Sequence, residues 1–359
     1  MPLLMDASTG SGRCPLSCNH RALRKAPAIG NHPRRGIALI TVLLFFAFLS
    51  AVAVRLASNH SMLIATSRNS FTADLALNYA LGGEEMARQV LYEDFTHSGK
   101  DVDHLQEAWA RGLPPLSLDE GGVVEIQIQD LQGCFNLNAL GGGTAQAVHG
   151  AMINLLGITG LPPAIADRAL DWVDADDITT GFGGEDNEYL LAKPAFRTPN
   201  GRFGDTSEIR VLLEGVDIGE DDALNRQLLP LLCALPVDQL QVNVNTASGE
   251  VLSALLPGSE LGRMQAFSNQ PRNFRSVGEF VQSHPEYQAA SAMLRTTSEW
   301  FRVNVKVQID RTTVIMSSVA FRDSASGRVV IRSRDFGQDF RTRVRSSTED
   351  EASPVEEPS

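Results

Sequence analysis

Residues 34–56 read RRGIALITVLLFFAFLSAVAVRL. Whether this stretch is discarded, anchored or kept as part of a longer element decides the fold. Residues 37–54 form an 18-residue run without a charge. As a helix rising ~1.5 Å per residue, the run spans roughly 27 Å, about the hydrocarbon width of a bilayer. Basic residues precede it, which keeps the N-terminus cytoplasmic and places the rest of the chain outside. A secretory signal would have a shorter apolar run, then small residues at a cleavage site, then an unrelated mature domain. Here the helical pattern does not stop. Beyond Arg55, Leu56, Met62, Leu63, Leu75, Leu77, Leu81, Met86, Val90 and Leu91 recur at helical spacing without an intervening proline. Gly82 and Gly83 weaken the pattern without ending it. The spacing predicts one helix over residues 37–95, transmembrane over residues 37–54 and amphipathic afterwards.

A basic leader ending in glycine, followed at once by the apolar end of a long helix, resembles the type IV pilin architecture. By that resemblance RRGIALITVLL is a prepilin peptidase site, cut between Gly36 and Ile37, and residues 1–36 are a cytoplasmic leader. Thr41 then stands at mature position five, where most pilins carry a glutamate. In that family the glutamate neutralises the N-terminal amine of a neighbouring pilin. A carboxylate in hydrocarbon is costly unless paired, whereas Thr41 can bond its own helix backbone. The residue is consistent with a place at the filament end, and equally with a tolerated substitution in an ordinary membrane helix.

The 359 residues are 43% hydrophobic and 21% charged, enough for two folded units with a real core. Net charge is −12, unevenly spread. Residues 1–36 hold six Lys/Arg against one acid, +5, which leaves 25 against 42, −17, for the rest. So acidic a body repels nucleic acid and anionic lipid and suits metal cations better. Cys14 and Cys18 fall in the leader. Cys134 and Cys233 remain in the body, where an extracytoplasmic setting would permit a disulfide, although spacing alone does not bring them together.

Residues 96–122 read as a short helix and a Pro/Gly loop. Residues 123–130 alternate as a strand, residues 301–310 and 311–323 as a hairpin turning at Asp310 and Arg311, and residues 327–336 as a further strand. Between them, residues 133–297 are mostly helical. The helical stretches are TAQAVHGAMINLLGI, PPAIADRALDWVDA, TSEIRVLLE, DDALNRQLLPLLCAL, ASGEVLSALL and SVGEFVQSH. The expected class is α+β: a pilin-like long helix on a small antiparallel sheet, formed by residues 96–132 and 298–338, with a large inserted α-helical domain. Residues 339–359 are acidic and poor in large apolar residues, and are expected to be disordered.

The chemistry concentrates in DWVDADDITTGFGGEDNEYL, residues 171–190. Asp171, Asp174, Asp176, Asp177, Glu185, Asp186 and Glu188 crowd this stretch, with Gly181, Gly183 and Gly184 supplying turns. Clustered carboxylates repel unless a cation or solvent separates them, and calcium tolerates irregular oxygen-rich loops. No histidine or cysteine lies in the stretch, which argues against zinc, and the spacing is not that of an EF-hand. A solvated acidic loop with helix-capping aspartates is the plainer alternative. A paired-carboxylate hydrolase is a third, but no aromatic platform for a sugar is evident.

ITGLPPAIADRALDW and VNVNTASGEVLSALLPG are similar to helix-hairpin-helix modules. The second lacks nearby basic residues, so a packing role is expected rather than DNA binding, and a DNA-uptake pilin is the lesser reading. No nucleophile elbow, P-loop or zinc-protease motif appears, so no enzyme is expected. His97, His104, His149 and His284 show no ligand spacing and are expected at the surface or as caps.

Taken together and in order, RRGIALITVLL, NYALGGEEMARQVL, DLQGCFNLNAL, the acidic stretch continuing to GGEDNEYLLAKPAFRTPNGRFGDTSEIRVLLEGV, LLPLLCALP and VNVNTASGEVL resemble the type II secretion system protein K family, the large minor pseudopilins. The resemblance spans residues 34–336. Members generally lack the glutamate at mature position five, in agreement with Thr41, although Ile37 is an uncommon first mature residue. The resemblance implies a single-pass inner-membrane protein with a periplasmic body, in a tip complex with minor pseudopilins I and J, above minor pseudopilin H and the major pseudopilin G. That complex starts pseudopilus assembly and supports export of folded proteins across the outer membrane. The resemblance also implies structural calcium in the α-domain. It carries the ligand role onto Asp171, Asp174, Asp176, Glu185 and Asp186, with Asp177, Asn187 and Glu188 as further candidates.

Overall fold

The computed structural model describes residues 37–97, 102–119, 121–213 and 224–337. The expected leader, with Gly36, Cys14 and Cys18, and the expected acidic tail over residues 339–359 lie outside the described residues. The chain divides into two units, Met1–Ala65 and Thr66–Ser359.

Helix α1 (Ile37–His97) is a single 61-residue helix. Within the first unit its apolar side chains are bare: Leu39, Phe45, Phe46 and Phe48 are each about 65% exposed. An 18-residue window there has a mean hydropathy of 2.4 with no burial, so the helix is long and apolar enough to cross a membrane. Thr41 Oγ1 donates to the Ala38 carbonyl at 2.9 Å, which satisfies the hydroxyl within its own helix turn.

In the second unit the same helix lays a line of small residues on a sheet. Ala76, Ala80, Ala87 and Leu91 are fully buried, at the 3.6-residue spacing of one face. Gly83 lies on this line, and a Cβ there would come within 2.9 Å of Val305 Cγ1. The glycine is therefore a close-approach position, not a weak point. Of the expected apolar stripe, Leu91 is buried and Leu75, Met86 and Val90 pack half-buried against the same core beside the alanines, whereas Leu56, Met62, Leu63 and Leu81 are exposed.

After α1 the chain forms β1 (Leu116–Leu118) and β2 (Gly122–Asp130). It then enters the inserted block: β3 (Phe135–Asn136), α2 (Ala145–Thr159), α3 (Ala164–Val173), α4 (Asp186–Tyr189), β4 (Leu232–Cys233), β5 (Val242–Asn243), α5 (Gly249–Ala254), α6 (Leu261–Ser268), α7 (Val277–Ser283) and β6 (Leu294–Arg295). It returns as β7 (Trp300–Ile309), β8 (Thr312–Arg322) and β9 (Val329–Asp335). The five-stranded sheet has the order β1-β2-β7-β8-β9, all antiparallel. Its inner face, with Val124, Ile126, Ile128, Phe301, Val303, Val305, Val307 and Met316, closes on α1. The β7–β8 hairpin turns at Asp310 and Arg311 as expected, and Asp310 takes a φ of +52°, a conformation Asp tolerates. The fold is α+β.

The structure differs from the sequence reading in three places. Residues 102–115 make turns, not a short helix, and lead into the edge strand β1. Carboxylates intercept the backbone there: Glu107 Oε2 accepts from His104 N at 3.0 Å and from Trp109 Nε1 at 2.8 Å. Trp109 is pinned edge-on against Phe301 at 5.3 Å. The stretch around residues 224–231 is a short π turn followed by a 3-10 turn, because Pro230 has no N–H to continue a helix. Residues 206–213 wind as a 3-10 helix.

The inserted block has its own core, centred on Phe135, Leu140, Met152, Leu155, Leu156 and Tyr287. Two devices join it to the sheet. Cys134 and Cys233 form a disulfide with Cα atoms 5.9 Å apart. Beside it is a buried polar network. Asp130 Oδ2 accepts from Ser298 Oγ at 2.6 Å, Thr246 Oγ1 at 2.6 Å and Asn243 Nδ2 at 3.1 Å. Arg322 in turn binds Asp94, Asp103 and the Ser298 carbonyl.

Candidate functional site

The acidic stretch starts where α3 ends. Asp171, in the last turn, is fully buried and gathers the loop to itself. Its Oδ2 accepts from Gly184 N at 2.9 Å, and both of its carboxylate oxygens accept from Thr180 N, at 3.0 and 3.1 Å. A Cβ on Gly183 would fall 1.9 Å from Asp171 Oδ2, so only glycine lets the backbone pass. Burial raises the Asp171 carboxyl, and the backbone donors pull it back down. Next, Glu185 caps α4 in a reciprocal capping box with Glu188, whose Oε2 accepts from Glu185 N at 2.9 Å.

The predicted ligands now separate by what already occupies them. Asp186 pairs with Arg197 and accepts from Thr198 N at 3.0 Å. Exposed Asp176 closes its own turn by accepting from Ile178 N at 2.9 Å. Asp177 accepts from Asn200 Nδ2 at 2.9 Å. Asp174 and Glu185 differ: Asp174 Oδ1 and Glu185 Oε1 are buried and have no hydrogen-bond partner among the described residues. Glu185 Oε2 accepts from Thr198 Oγ1 at 3.1 Å. Burial, with Asp176 and Asp171 nearby, pushes Asp174 up to about 6. Burial, with Asp171, Asp174 and Asp177 adding to it, pushes Glu185 up to about 7. Asn187 is exposed.

Asn200 is the residue that sequence reasoning missed. It has a φ of +43°, and its Nδ2 donates to the Asp176 carbonyl at 3.1 Å and to Asp177. Its Oδ1 is left buried and unpartnered. Its Asn200-Gly201 pair marks a turn, but nothing local ties that turn to an acidic stretch fourteen residues upstream of it, at Asp186. Buried polar atoms are nearly always bonded, and Asp174, Glu185 and Asn200 are the residues around this loop that leave a buried oxygen unpartnered among the described residues. The arrangement is an oxygen-donor set without nitrogen or sulfur, which suits a hard divalent cation. Trp172, Tyr189 and Phe203 lie beneath the loop, but they are buried core residues and form no open platform for a sugar.

A second acidic group appears elsewhere. Asp94, Asp103 and Glu107 bring carboxylate oxygens within 4.8 Å of one another. No trio from the 171–190 loop closes to that distance among the described residues. The Asp94–Asp103–Glu107 group is already filled by the Arg322 guanidinium, which makes it a structural ion cluster. Of the histidines expected at the surface or as caps, His284 is the C-cap of α7, and three make further contacts. His149 Nε2 meets Asp167 Oδ1 at 2.8 Å and ties α2 to α3. His284 stacks on Phe280 at 4.7 Å, and His104 Nδ1 accepts from Gln106 N at 3.2 Å.

Two family models, both described as type II secretion system protein K, match residues 133–237 and 242–300. Type II secretion system protein K of Pseudomonas aeruginosa is 36% identical over 324 residues, covering 85% of this chain and 93% of that one. The protein of the same name from Klebsiella pneumoniae is 32% identical, covering 81% and 91%. A crystal structure of the GspK-GspI-GspJ complex from enterotoxigenic Escherichia coli contains a chain of the same fold, with a TM-score of 0.66, 24% identity, and coverage of 76% of this chain and 99% of that one. Identity at this level over most of both chains means that the chain belongs to the type II secretion system protein K family, the minor pseudopilins of that machine.

Proposed function

We propose that this minor pseudopilin forms the tip of the pseudopilus with minor pseudopilins I and J, ahead of minor pseudopilin H and the major pseudopilin G, and that it starts assembly there. In this role it supports export of folded proteins across the outer membrane. The reading includes cleavage by prepilin peptidase between Gly36 and Ile37, a single pass through the inner membrane and a periplasmic body. Protein K is a structural component of its machine, and no catalytic step is assigned to this chain. The complex named for the Escherichia coli relative supports I and J as partners.

The observation that carries the end position is Thr41. Its hydroxyl is satisfied by Ala38 at 2.9 Å, at the position where a filament-internal pilin would offer a carboxylate to a neighbour's amine. The chain therefore carries no group at this position that demands a further pilin ahead of it. Co-expression with minor pseudopilins I and J in membranes, without the major pseudopilin, tests this. A stable complex of the three is expected. Recovery with the major pseudopilin along the filament, and not with I and J, would overturn it.

We also infer structural calcium at the acidic loop. Asp174, Glu185 and Asn200 would hold it through their unpartnered oxygens, with Asp171 bracing the loop behind them. The ion would supply positive charge between carboxylates that burial otherwise disfavours, and so fasten the end of α3 to residues 185–200. Its place in the account is mechanical stability of the inserted block.

A further inference from the structure

Within the acidic stretch, residues 180–183 form a hydrogen-bonded turn, in which Gly183 N donates to the Thr180 carbonyl at 2.7 Å. Phe182 is the third residue of that turn. Two carboxylates brace the backbone on either side of it. Asp171 accepts from Thr180 N and Gly184 N. Asp167 Oδ2 accepts from Phe182 N at 2.9 Å, while its Oδ1 meets His149 Nε2 at 2.8 Å. Gly181 has a φ of +54°, and a Cβ there would fall 2.5 Å from Asp167 Oδ2. Glycine is what lets that carboxylate reach the turn. The backbone is thus fixed, yet the Phe182 side chain is 80% exposed, and Ile178, four residues earlier, is 73% exposed. A polar turn residue such as Asn or Ser would serve the same backbone bonds.

A single exposed apolar side chain is ordinary. An aromatic one held on a fixed backbone has what a binding anchor needs, because its ordering entropy is lost before the partner arrives. Charge then says which partner fits. Residues 171–192 hold seven carboxylates and no Lys or Arg. A bound calcium would reduce that negative charge without reversing it. An anionic lipid surface would be repelled, and a purely apolar partner would leave the acids without compensation. Complementarity selects a surface that brings cations beside an apolar face. We propose that the Phe182 turn docks a cationic amphipathic segment of another protein. Its apolar side meets Phe182 and Ile178, and its Lys or Arg side chains meet the exposed Asp176 and Asp177. The bracing bonds all lie within this chain, so the proposal does not depend on calcium.

The test uses the full chain in detergent with a chelator present. The probe is the peptide acetyl-KLLKLLK-amide, read by titration calorimetry against a detergent blank. Binding with a Kd on the order of 100 μM is expected, and the charge-reversed peptide acetyl-ELLELLE-amide should bind about tenfold or more weakly. Phe182→Ser should weaken the cationic peptide about tenfold while leaving the melting temperature unchanged, since the side chain it removes is exposed. Asp176→Asn combined with Asp177→Asn should also weaken binding and shrink its salt dependence. Equal affinity of wild type and Phe182→Ser, or equal affinity for the two peptides, would overturn the proposal. So would tighter, Phe182-dependent binding of dihexanoyl phosphatidylglycerol, which would make the turn a lipid contact.

Discussion

Thr198 Oγ1 holds Glu185 by one carboxylate oxygen, Oε2, at 3.1 Å, and leaves Oε1 buried without a donor. The capping bond from the Glu185 backbone N–H goes to Glu188 Oε2 and leaves Glu185 Oε1 unused, so Oε1 is open to the proposed calcium. Titrating calcium into the cation-free full chain is therefore expected to raise its melting temperature. At about one hundred times Kd the stabilisation is about 2.7 kcal/mol, a shift of roughly 4–5 °C for a unit of this size. Differential scanning calorimetry with and without a chelator checks it.

The loop's oxygens should not count equally. Glu185→Gln and Asn200→Ala remove oxygens that nothing else uses and are expected to weaken calcium binding about tenfold or more. Asp186→Asn is expected to change the affinity by no more than about threefold, because Asp186 is already committed to Arg197 and Thr198. Calcium titration of the three variants, followed by intrinsic fluorescence of the underlying Trp172, distinguishes them.

Arg322 is almost completely buried between Asp94, Asp103 and Phe301. Arg322→Met strands those carboxylates with Glu107 nearby. Breaking a buried pair from one side costs about 3–5 kcal/mol. Urea unfolding should show that loss, and adding Asp103→Asn to Arg322→Met should recover part of it.

Asp103 also sets a pH dependence. Burial dominates over Arg322, so its carboxyl rises from 3.8 to about 7. An acid whose folded pKa is raised stabilises the fold below its unfolded pKa, and that contribution is lost as pH rises through the folded value. The melting temperature should therefore fall between about pH 4 and pH 7, and Asp103→Asn should flatten the fall. Asp174 and Glu185 shift in the same direction. Their share should vanish when calcium is added, whereas that of Asp103 should persist.

Much of the fold was legible in the sequence because it is periodic. The apolar run, the strand alternation of residues 301–323 and the Asp310 turn each carry their own signal. The face of α1 against the sheet was less legible, because close packing there selects Ala76, Ala80, Gly83 and Ala87 over the larger residues that periodicity favours. The acidic stretch announced the candidate site. Which oxygens remain open did not show, because that depends on pairings made across the loop, Asp186 with Arg197 and Asp177 with Asn200. Asn200 and the Asp94–Asp103–Glu107 group join distant segments, and no local pattern records such contacts.

On the proposed function the apolar helix is retained and enters the filament through the pilin route. N-terminal sequencing of the mature protein, from cells with and without prepilin peptidase, tests it most directly. A chain beginning at Ile37 is expected when the peptidase is present and an uncut chain when it is absent. A mature chain that keeps residues before Ile37 in the presence of the peptidase, or one that begins beyond Val54 with the helix removed, would contradict it.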